Sequence, residues 1–319
     1  MRDLVSLKRI VQKTGVSTLT VSLPKSWTER TGVSKGSELF ALEQPDGSLV
    51  LSQKHEEEKR ESVDLAIDPL SSKDDLIRRF YAAYLAGFDS IRIHSGSKIS
   101  SSMREAVFEE TRRLIGVEIV EETPNSIVIK DFFSREGLDI QKSLKRMHLI
   151  TCGLFEDLLE EKDVGSILER DDEVDRLRFL LARQLNLALK NPAVLNSLEL
   201  TSTKCVDYAI VTLFIERIAD RVTEMAEMVS KEKREVFKPV RPELQKAYDI
   251  YCDSVKSFIH KDFGLALKVI NSRKTFSDEL NDLNKKLWQK SIGYTYLIEY
   301  TNSIVDASVS IAEQAINQS

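Results

Sequence analysis

The sequence has few of the residues that build disulfide frameworks or common zinc sites. Its 319 residues include three cysteines (Cys152, Cys205 and Cys252) and four histidines. The odd number of cysteines and their positions in helical patterns favour free, mostly buried thiols in a reducing cytoplasm. Because the histidines show no ligand spacing, we do not expect a zinc site of the usual histidine–cysteine kind.

Long apolar runs and recognisable catalytic motifs are missing as well. No run approaches the ~20 residues that span a bilayer, and residues 1–9 are charged too early for a signal peptide. We therefore expect a cytoplasmic protein without membrane insertion. The sequence has no Ser/His/Asp order, nucleophile elbow or glycine-rich cofactor loop. We expect a protein that is not an enzyme and has no catalytic residues.

The charge is unevenly distributed along the chain. The formal net charge is −5. Residues 1–36 carry seven basic and two acidic side chains, a net +5, so the remaining 283 residues sum to −10. A basic head on an acidic body suggests contact with a polyanion at the N-terminus, whereas the alternative is a solvated charged face.

The C-terminal half contains an internal repeat. Residues 215–227 align without a gap on residues 301–313, and their apolar positions recur in alternating steps of four and three. That spacing forms the buried seam of a packed helix. Upstream, residues 162–168 resemble residues 261–267 at the start of another helix. The repeat predicts two three-helix units, at about residues 138–231 and 240–319.

Acidic residues recur within this repeat. Glu216 and Asp220 lie one helical turn apart, so both carboxylates point the same way and repel unless a cation lies between them. In the second copy Asn302 stands where the first has Glu216, and only Asp306 survives, which halves the ligand charge. The alternative is a solvated acidic flank that Arg217 and Arg221 neutralise.

A further correspondence aligns residues 172–177 with residues 278–283. It marks the acidic part of the preceding helix, where Asp171, Asp172 and Asp175 could supplement the Glu216 site. Oxygen-only ligand sets are poorly diagnostic of one metal. Beside the solvated flank, the sequence therefore allows metal binding without naming the ion: the candidate ligands are Glu216 and Asp220, with Asp175, at a first site and Asp306 at a second.

The N-terminal segment alternates in the manner of short strands. Residues 4–12 and 19–23 read as strands, Pro24 opens a short helix that Gly32 ends, and an Asp46–Gly47 turn predicts a hairpin. The resulting ββαββ unit of roughly fifty residues is too small to bury a good core alone. Intertwining of two copies would bury one.

The middle segment, residues 62–132, reads as a small α/β sandwich. Ser72 and Asp75 form a predicted capping box, and Ser102 with Glu105 is expected to cap the second helix. A fold of this kind does not indicate a function. The predicted strands are residues 63–67, 91–93, 117–120 and 127–129, and the predicted helices are residues 72–85 and 102–115.

Residues 4–52 resemble the AbrB/SpoVT family of swapped-hairpin DNA-binding modules. The resemblance rests on residues 11–15, 20–27, 32–37 and 46–51, especially Leu23-Pro24-Lys25. It implies a domain at residues 1–54 that forms an obligate dimer with a swapped-hairpin β-barrel and a basic face for DNA. The DNA-binding residues that it implies are Lys8, Arg9, Lys13 and Lys25.

Residues 138–319 resemble the PhoU family of phosphate-uptake regulators, of the archaeal type. Residues 216–221, followed by Met225-Ala226-Glu227, are close to that family's metal-binding Glu-x-x-x-Asp helix. The resemblance implies an all-α tandem three-helix-bundle repeat with divalent, iron or zinc-type metal ions at carboxylate clusters. Altogether we expect a multi-domain α+β protein with domains at residues 1–54, 62–132 and 138–319.

Together these resemblances imply a homodimeric regulator of phosphate homeostasis. The head would bind promoter DNA, and the helical repeat would sense or signal through a metal, a phosphate-transporter ATPase or a sensor protein. The alternative is a metal-binding accessory protein of a phosphate transporter, dimerised by its N-terminal domain, that does not bind DNA. A third interpretation is a regulator of another anion's transport.

Overall fold

A computed structural model of the chain shows a mixed α+β protein that is 65% helical. It divides into two compact units, Met1–Lys59 and Arg60–Ser319. No helix of the described residues is long and apolar enough to cross a membrane. The structure describes residues 8–43, 47–52, 61–68, 71–133, 139–231 and 236–318.

The first unit consists of two hairpins around a short helix. Strand β1 (Gln12–Thr14) pairs antiparallel with β2 (Thr18–Thr20), and β3 (Phe40–Glu43) pairs with β4 (Leu49–Ser52). Helix α1 (Lys25–Thr31) lies between the hairpins.

The local signals of α1 act as the sequence predicts. Pro24 precedes the helix, and Gly32 ends it at φ 76°, a conformation that glycine adopts without strain. The first strand is shorter than predicted, because residues 8–11 are not in a strand and residues 1–7 lie outside the described residues. Asp46 of the predicted turn also lies outside them.

The first unit buries none of its described residues. Ile10, Val16, Leu19 and Leu49 are among its exposed apolar side chains. The described strands of this unit form two separate two-stranded sheets, and no closed barrel is found among them. One copy of this unit therefore leaves its apolar faces uncovered.

The second unit begins with a four-stranded sheet in the order β5-β6-β8-β7. The β5–β6 pair is parallel and the other pairs are antiparallel. The apolar residues of the sheet and of helices α2 and α3 form one core. The elements are β5 (Ser62–Ile67), α2 (Lys73–Leu85), β6 (Ser90–Ser95), α3 (Ser101–Arg113), β7 (Val117–Thr123) and β8 (Ser126–Asp131).

The caps of the two helices in this layer differ in how well the sequence predicts them. The Ser72 hydroxyl accepts a hydrogen bond from the Asp75 backbone N–H at 3.0 Å, as predicted. The cap of α3 is Ser100, whose hydroxyl accepts from the Met103 backbone N–H at 3.3 Å. The prediction of Ser102 was wrong because consecutive serines offer several starts, and the backbone turns helical at Ser101.

Helices make up the rest of the second unit and share a second, larger core. Three long helices and one short one are followed by three more long helices. The first set is α4 (Ile140–Leu159), α5 (Val164–Lys190), α6 (Pro192–Ser197) and α7 (Ser202–Lys231). The second set is α8 (Arg241–His260), α9 (Phe263–Leu287) and α10 (Ile292–Asn317).

The burial pattern gives the register of the two sets. In α5 and α9, Ile167 and Ala266, Leu177 and Phe276, and Leu181 and Leu280 are buried pairs at equivalent positions. The predicted alignment of residues 172–177 with residues 278–283 lies two helical turns from this register and also pairs buried residues, Val174 with Leu280. In the register of Ile167 and Ala266, Asp175 corresponds to Lys274.

A buried arginine connects the sheet layer to the helices. The Arg183 side chain is 1% exposed and its guanidinium lies 2.6 Å from Asp131 Oδ2. It also donates to the backbone carbonyls of Tyr84 and Phe88. Nearby, Gly87 has a φ of 89°, and a Cβ there would lie 2.4 Å from Leu187 Cδ2. Glycine therefore permits the close approach of α2 and α5.

Candidate metal centre

Helices α5 and α7 pack together and bring carboxylates from both into one cluster. Asp171 and Asp175 lie one turn apart on α5, and Glu216 and Asp220 lie one turn apart on α7. Ligand oxygens of Asp175, Glu216 and Asp220 all lie within 4.8 Å of one another. The structure thus gathers three of the four predicted metal ligands, and we name Asp171, Asp175, Glu216 and Asp220 the carboxylate cluster.

The carboxylate cluster is half-buried, and this changes its acidity. Burial, reinforced by the charge of Asp220, raises the pKa of Asp171 to about 7. Burial also raises the pKa of Glu216 to about 7, although the Arg178 guanidinium opposes the shift. Burial raises the pKa values of Asp175 and Asp220 too. Like charges in a desolvated place favour a bound proton or a bound cation.

The nearest countercharge comes from α5. Arg178 Nε lies 3.3 Å from Glu216 Oε1. The sequence interpretation gave this role to Arg217 and Arg221. Their charges do oppose the raised pKa values of Glu216 and Asp220, although Arg217 lies over the Phe214 ring and Arg221 pairs with Glu224. Within the described residues, neither forms an ion pair with the carboxylate cluster. Arg178 could have been found as the residue one turn after Asp175.

The fourth predicted ligand, Asp306, is not part of the carboxylate cluster. It lies on α10 of the second helical set and pairs with Arg273 of α9. The Asn302 amide lies 3.5 Å from the same carboxylate. The second set thus presents a cation, Arg273, to Asp306 where the first set has carboxylates. The symmetric metal ligand that the repeat predicts is therefore replaced by an ion pair.

A second group of metal-ligand atoms lies between α4 and α8. It contains His148, Cys152 and Cys252, whose ligand atoms lie within 4.8 Å of one another. The sequence analysis did not predict this group, because its spacing argument considered only ligands close in sequence. The four-residue step from His148 to Cys152 was the available signal.

The predicted DNA-binding residues are exposed in the first unit. Lys13 lies on β1, and Lys8 and Arg9 lie just before it. Lys25 opens α1 and lies 3.7 Å from Glu29. All four cations are accessible to an anionic partner.

The second unit thus contains a helical bundle with an acidic, half-buried cluster on two long helices, a group of carboxylates that could hold a metal ion. Residues 144–229 match the family model of the PhoU domain. The match runs from within α4 into α7 and contains all four members of the carboxylate cluster. The comparisons found no significant match between the chain and a curated protein or a solved structure.

Proposed function

We propose that the protein regulates phosphate uptake and that a divalent cation at the carboxylate cluster is part of its signal. The observation that carries this proposal is the PhoU-domain match at residues 144–229, because a domain of this family is consistent with a role in phosphate homeostasis. The role is regulatory rather than catalytic. We propose action on phosphate rather than on another anion because of that match alone.

The charge balance of the carboxylate cluster supports the metal. Burial and mutual repulsion raise the pKa values of Asp171, Asp175, Glu216 and Asp220, even though the charges of Arg178 and of neighbouring arginines oppose the shifts of the last three. A divalent cation would replace the protons that the raised pKa values favour and would cancel the repulsion between α5 and α7. Oxygen-only ligands favour hard or borderline ions such as Mg²⁺, Mn²⁺ and Fe²⁺.

The first unit supports a dimer that binds DNA. Its exposed apolar residues and its lack of buried described residues call for a second copy, as a swapped-hairpin barrel would provide. The segment 1–36 carries a net +5 per chain, which doubles in a dimer. Lys8, Arg9, Lys13 and Lys25 would contact phosphates or base edges of promoter DNA.

A second candidate is an accessory protein that dimerises through its first unit, contacts a transporter ATPase or a sensor protein, and does not bind DNA. Two observations favour it. Lys25 already lies near Glu29, and the chain outside residues 1–36 carries a net −10, which repels DNA.

Fluorescence anisotropy of the intact protein on its own promoter and on phosphate-gene promoters separates the candidates. A regulator binds these promoters more tightly than random DNA. In a plot of the logarithm of the binding constant against the logarithm of the salt concentration, each phosphate contact makes the negative slope steeper by roughly one. The double variant Arg9→Ala, Lys13→Ala weakens binding and reduces the slope. Lys285→Ala, an exposed lysine of the second unit, is the control. Equal, weak binding to all DNA would support the accessory protein.

A further inference from the structure

Cys152 and Cys252 occupy equivalent positions on the first helices of the two helical sets. The two residues are 100 positions apart in sequence. The buried residues of α4 and α8 recur with the same interval, as Leu144 with Leu244 and Leu158 with Phe258 show. The two thiols face each other where α4 meets α8, and their Sγ atoms are 3.8 Å apart.

His148 completes a three-ligand arrangement. It lies one turn before Cys152 on α4, and its Nε2 is 3.6 Å from Cys152 Sγ. In a tetrahedral zinc site, Zn–S bonds of about 2.3 Å and Zn–N bonds of about 2.0 Å place two sulfurs about 3.8 Å apart and sulfur about 3.6 Å from nitrogen. The two separations in the protein are close to these edges. Since the same sulfur also lies 3.7 Å from His148 Nδ1, the imidazole would have to turn to direct Nε2 at an ion that the sulfurs bind.

A buried tyrosine orients the imidazole. The Tyr251 hydroxyl lies 3.0 Å from His148 Nδ1, and the Tyr251 side chain is fully buried. With Nδ1–H donating to the tyrosine oxygen, Nε2 keeps its lone pair for a metal. A ligand histidine commonly has such a partner on its other nitrogen, which fixes the tautomer and the ring orientation.

The thiols are prepared unequally for binding. The hydrogen bond with Cys252, assisted by His148, lowers the pKa of Cys152 to about 5. The same contact raises the pKa of Cys252 above its usual range. Metal binds the thiolate form of cysteine, so an entering cation would displace thiol protons to solvent.

We propose that His148 Nε2 and the sulfurs of Cys152 and Cys252 bind one thiophilic divalent cation of the zinc class. Two thiolates and an imidazole select Zn²⁺ over Mg²⁺, Ca²⁺ and Mn²⁺. The three protein ligands leave the fourth tetrahedral position to a water molecule. The ion joins α4 to α8 and so links the two helical sets, and its site shares no residue with the carboxylate cluster.

The test is a titration of the full-length, reduced, metal-free protein with Co²⁺ under nitrogen. The expected result is the intense visible spectrum of tetrahedral Co²⁺ with near-ultraviolet sulfur-to-metal charge-transfer bands, saturating at one ion per chain. Added Zn²⁺ should remove both. Co²⁺ at the carboxylate cluster gives no sulfur band, because all of its ligands there are oxygens. The wild-type spectrum does not depend on whether any variant folds.

Variants then assign the ligands. Cys152→Ser and Cys252→Ser should each weaken Zn²⁺ binding by more than about a hundredfold, and Tyr251→Phe by about tenfold. Cys205→Ala, at a buried thiol outside the group, should retain the wild-type spectrum. The proposal is overturned if wild-type protein with titratable free thiols shows no sulfur-to-cobalt band. A Cys152–Cys252 disulfide in protein isolated without oxygen would also overturn it.

Discussion

Arg178 Nε lies 3.3 Å from Oε1 of Glu216, across the contact between α5 and α7. This guanidinium is the nearest countercharge to a cluster with four carboxylates. The imbalance explains why burial and mutual repulsion raise the pKa values of Asp171 and Glu216 to about 7. It also makes the carboxylate cluster responsive to protons and cations, from which two predictions follow directly.

The metal-free protein should lose stability as the pH rises through the weakly acidic range. Asp171 and Glu216 have folded-state pKa values of about 7, whereas unfolded carboxyl groups titrate near about 4. Between these values the folded state binds more protons, so the free energy of unfolding falls as pH increases. Urea denaturation in the presence of a chelator, from about pH 5 to about pH 7.5, measures this slope.

Glu216→Gln removes one of the two titrating groups and should flatten the pH dependence. With divalent metal present, the pH dependence of stability should reverse, because protons compete with the metal for the carboxylates at low pH. An unchanged slope in Glu216→Gln would show that Glu216 does not titrate in this range.

Asp220→Asn should weaken metal binding and stabilise the metal-free protein. The carboxylate of Asp220 faces those of Asp171, Asp175 and Glu216, so its removal relieves repulsion and removes a ligand. We expect at least about tenfold weaker Mn²⁺ binding, which lowers the metal-induced stabilisation by about 1.4 kcal/mol. Thermal unfolding with and without Mn²⁺ measures both effects.

The internal repeat supplies the matched control for this prediction. Asp306 aligns with Asp220 but pairs with Arg273, so Asp306→Asn should leave Mn²⁺ binding unchanged. If the two variants lose Mn²⁺ binding equally, the metal centre has been placed in the wrong helical set.

Arg183→Met should destabilise the second unit strongly. The change leaves the Asp131 carboxylate and two backbone carbonyls without their buried donor. Breaking a buried ion pair in this way costs about 3–5 kcal/mol, which chemical denaturation can measure. Restoring charge balance with Asp131→Asn in the same chain should recover part of the loss. Lys285→Met, at an exposed ion pair, is the control and should be as stable as wild type. If Arg183→Met lowers the free energy of unfolding no more than this control does, the proposed role of Arg183 is contradicted.

The sequence predicts most of the local structure because its signals are local. Pro24 and Gly32 delimit α1, Ser72 caps α2, and apolar steps of four and three mark α7 and α10. Such signals depend on backbone geometry and on one buried face of a helix, so they can be recognised in the sequence without knowledge of the tertiary structure.

Long-range relationships were harder to predict. Asp306 was expected to bind metal because it repeats Asp220, but its partner Arg273 comes from another helix. Cys252 meets His148 and Cys152 only after two helical sets have packed together. The buried Arg183 has no periodic signature, since its carbonyl partners lie in a different layer. Contacts of this kind depend on packing that a single periodic pattern does not encode.

Phosphate uptake in cells that lack the gene tests the central proposal most directly. Uptake of labelled phosphate is measured in phosphate-replete cells, with complementation by wild type, Asp220→Asn and Asp306→Asn. We expect deletion to derepress uptake, wild type and Asp306→Asn to restore control, and Asp220→Asn to fail at equal protein levels. Phosphate uptake that is the same with and without the gene, in replete and in starved cells, would contradict a role in phosphate regulation.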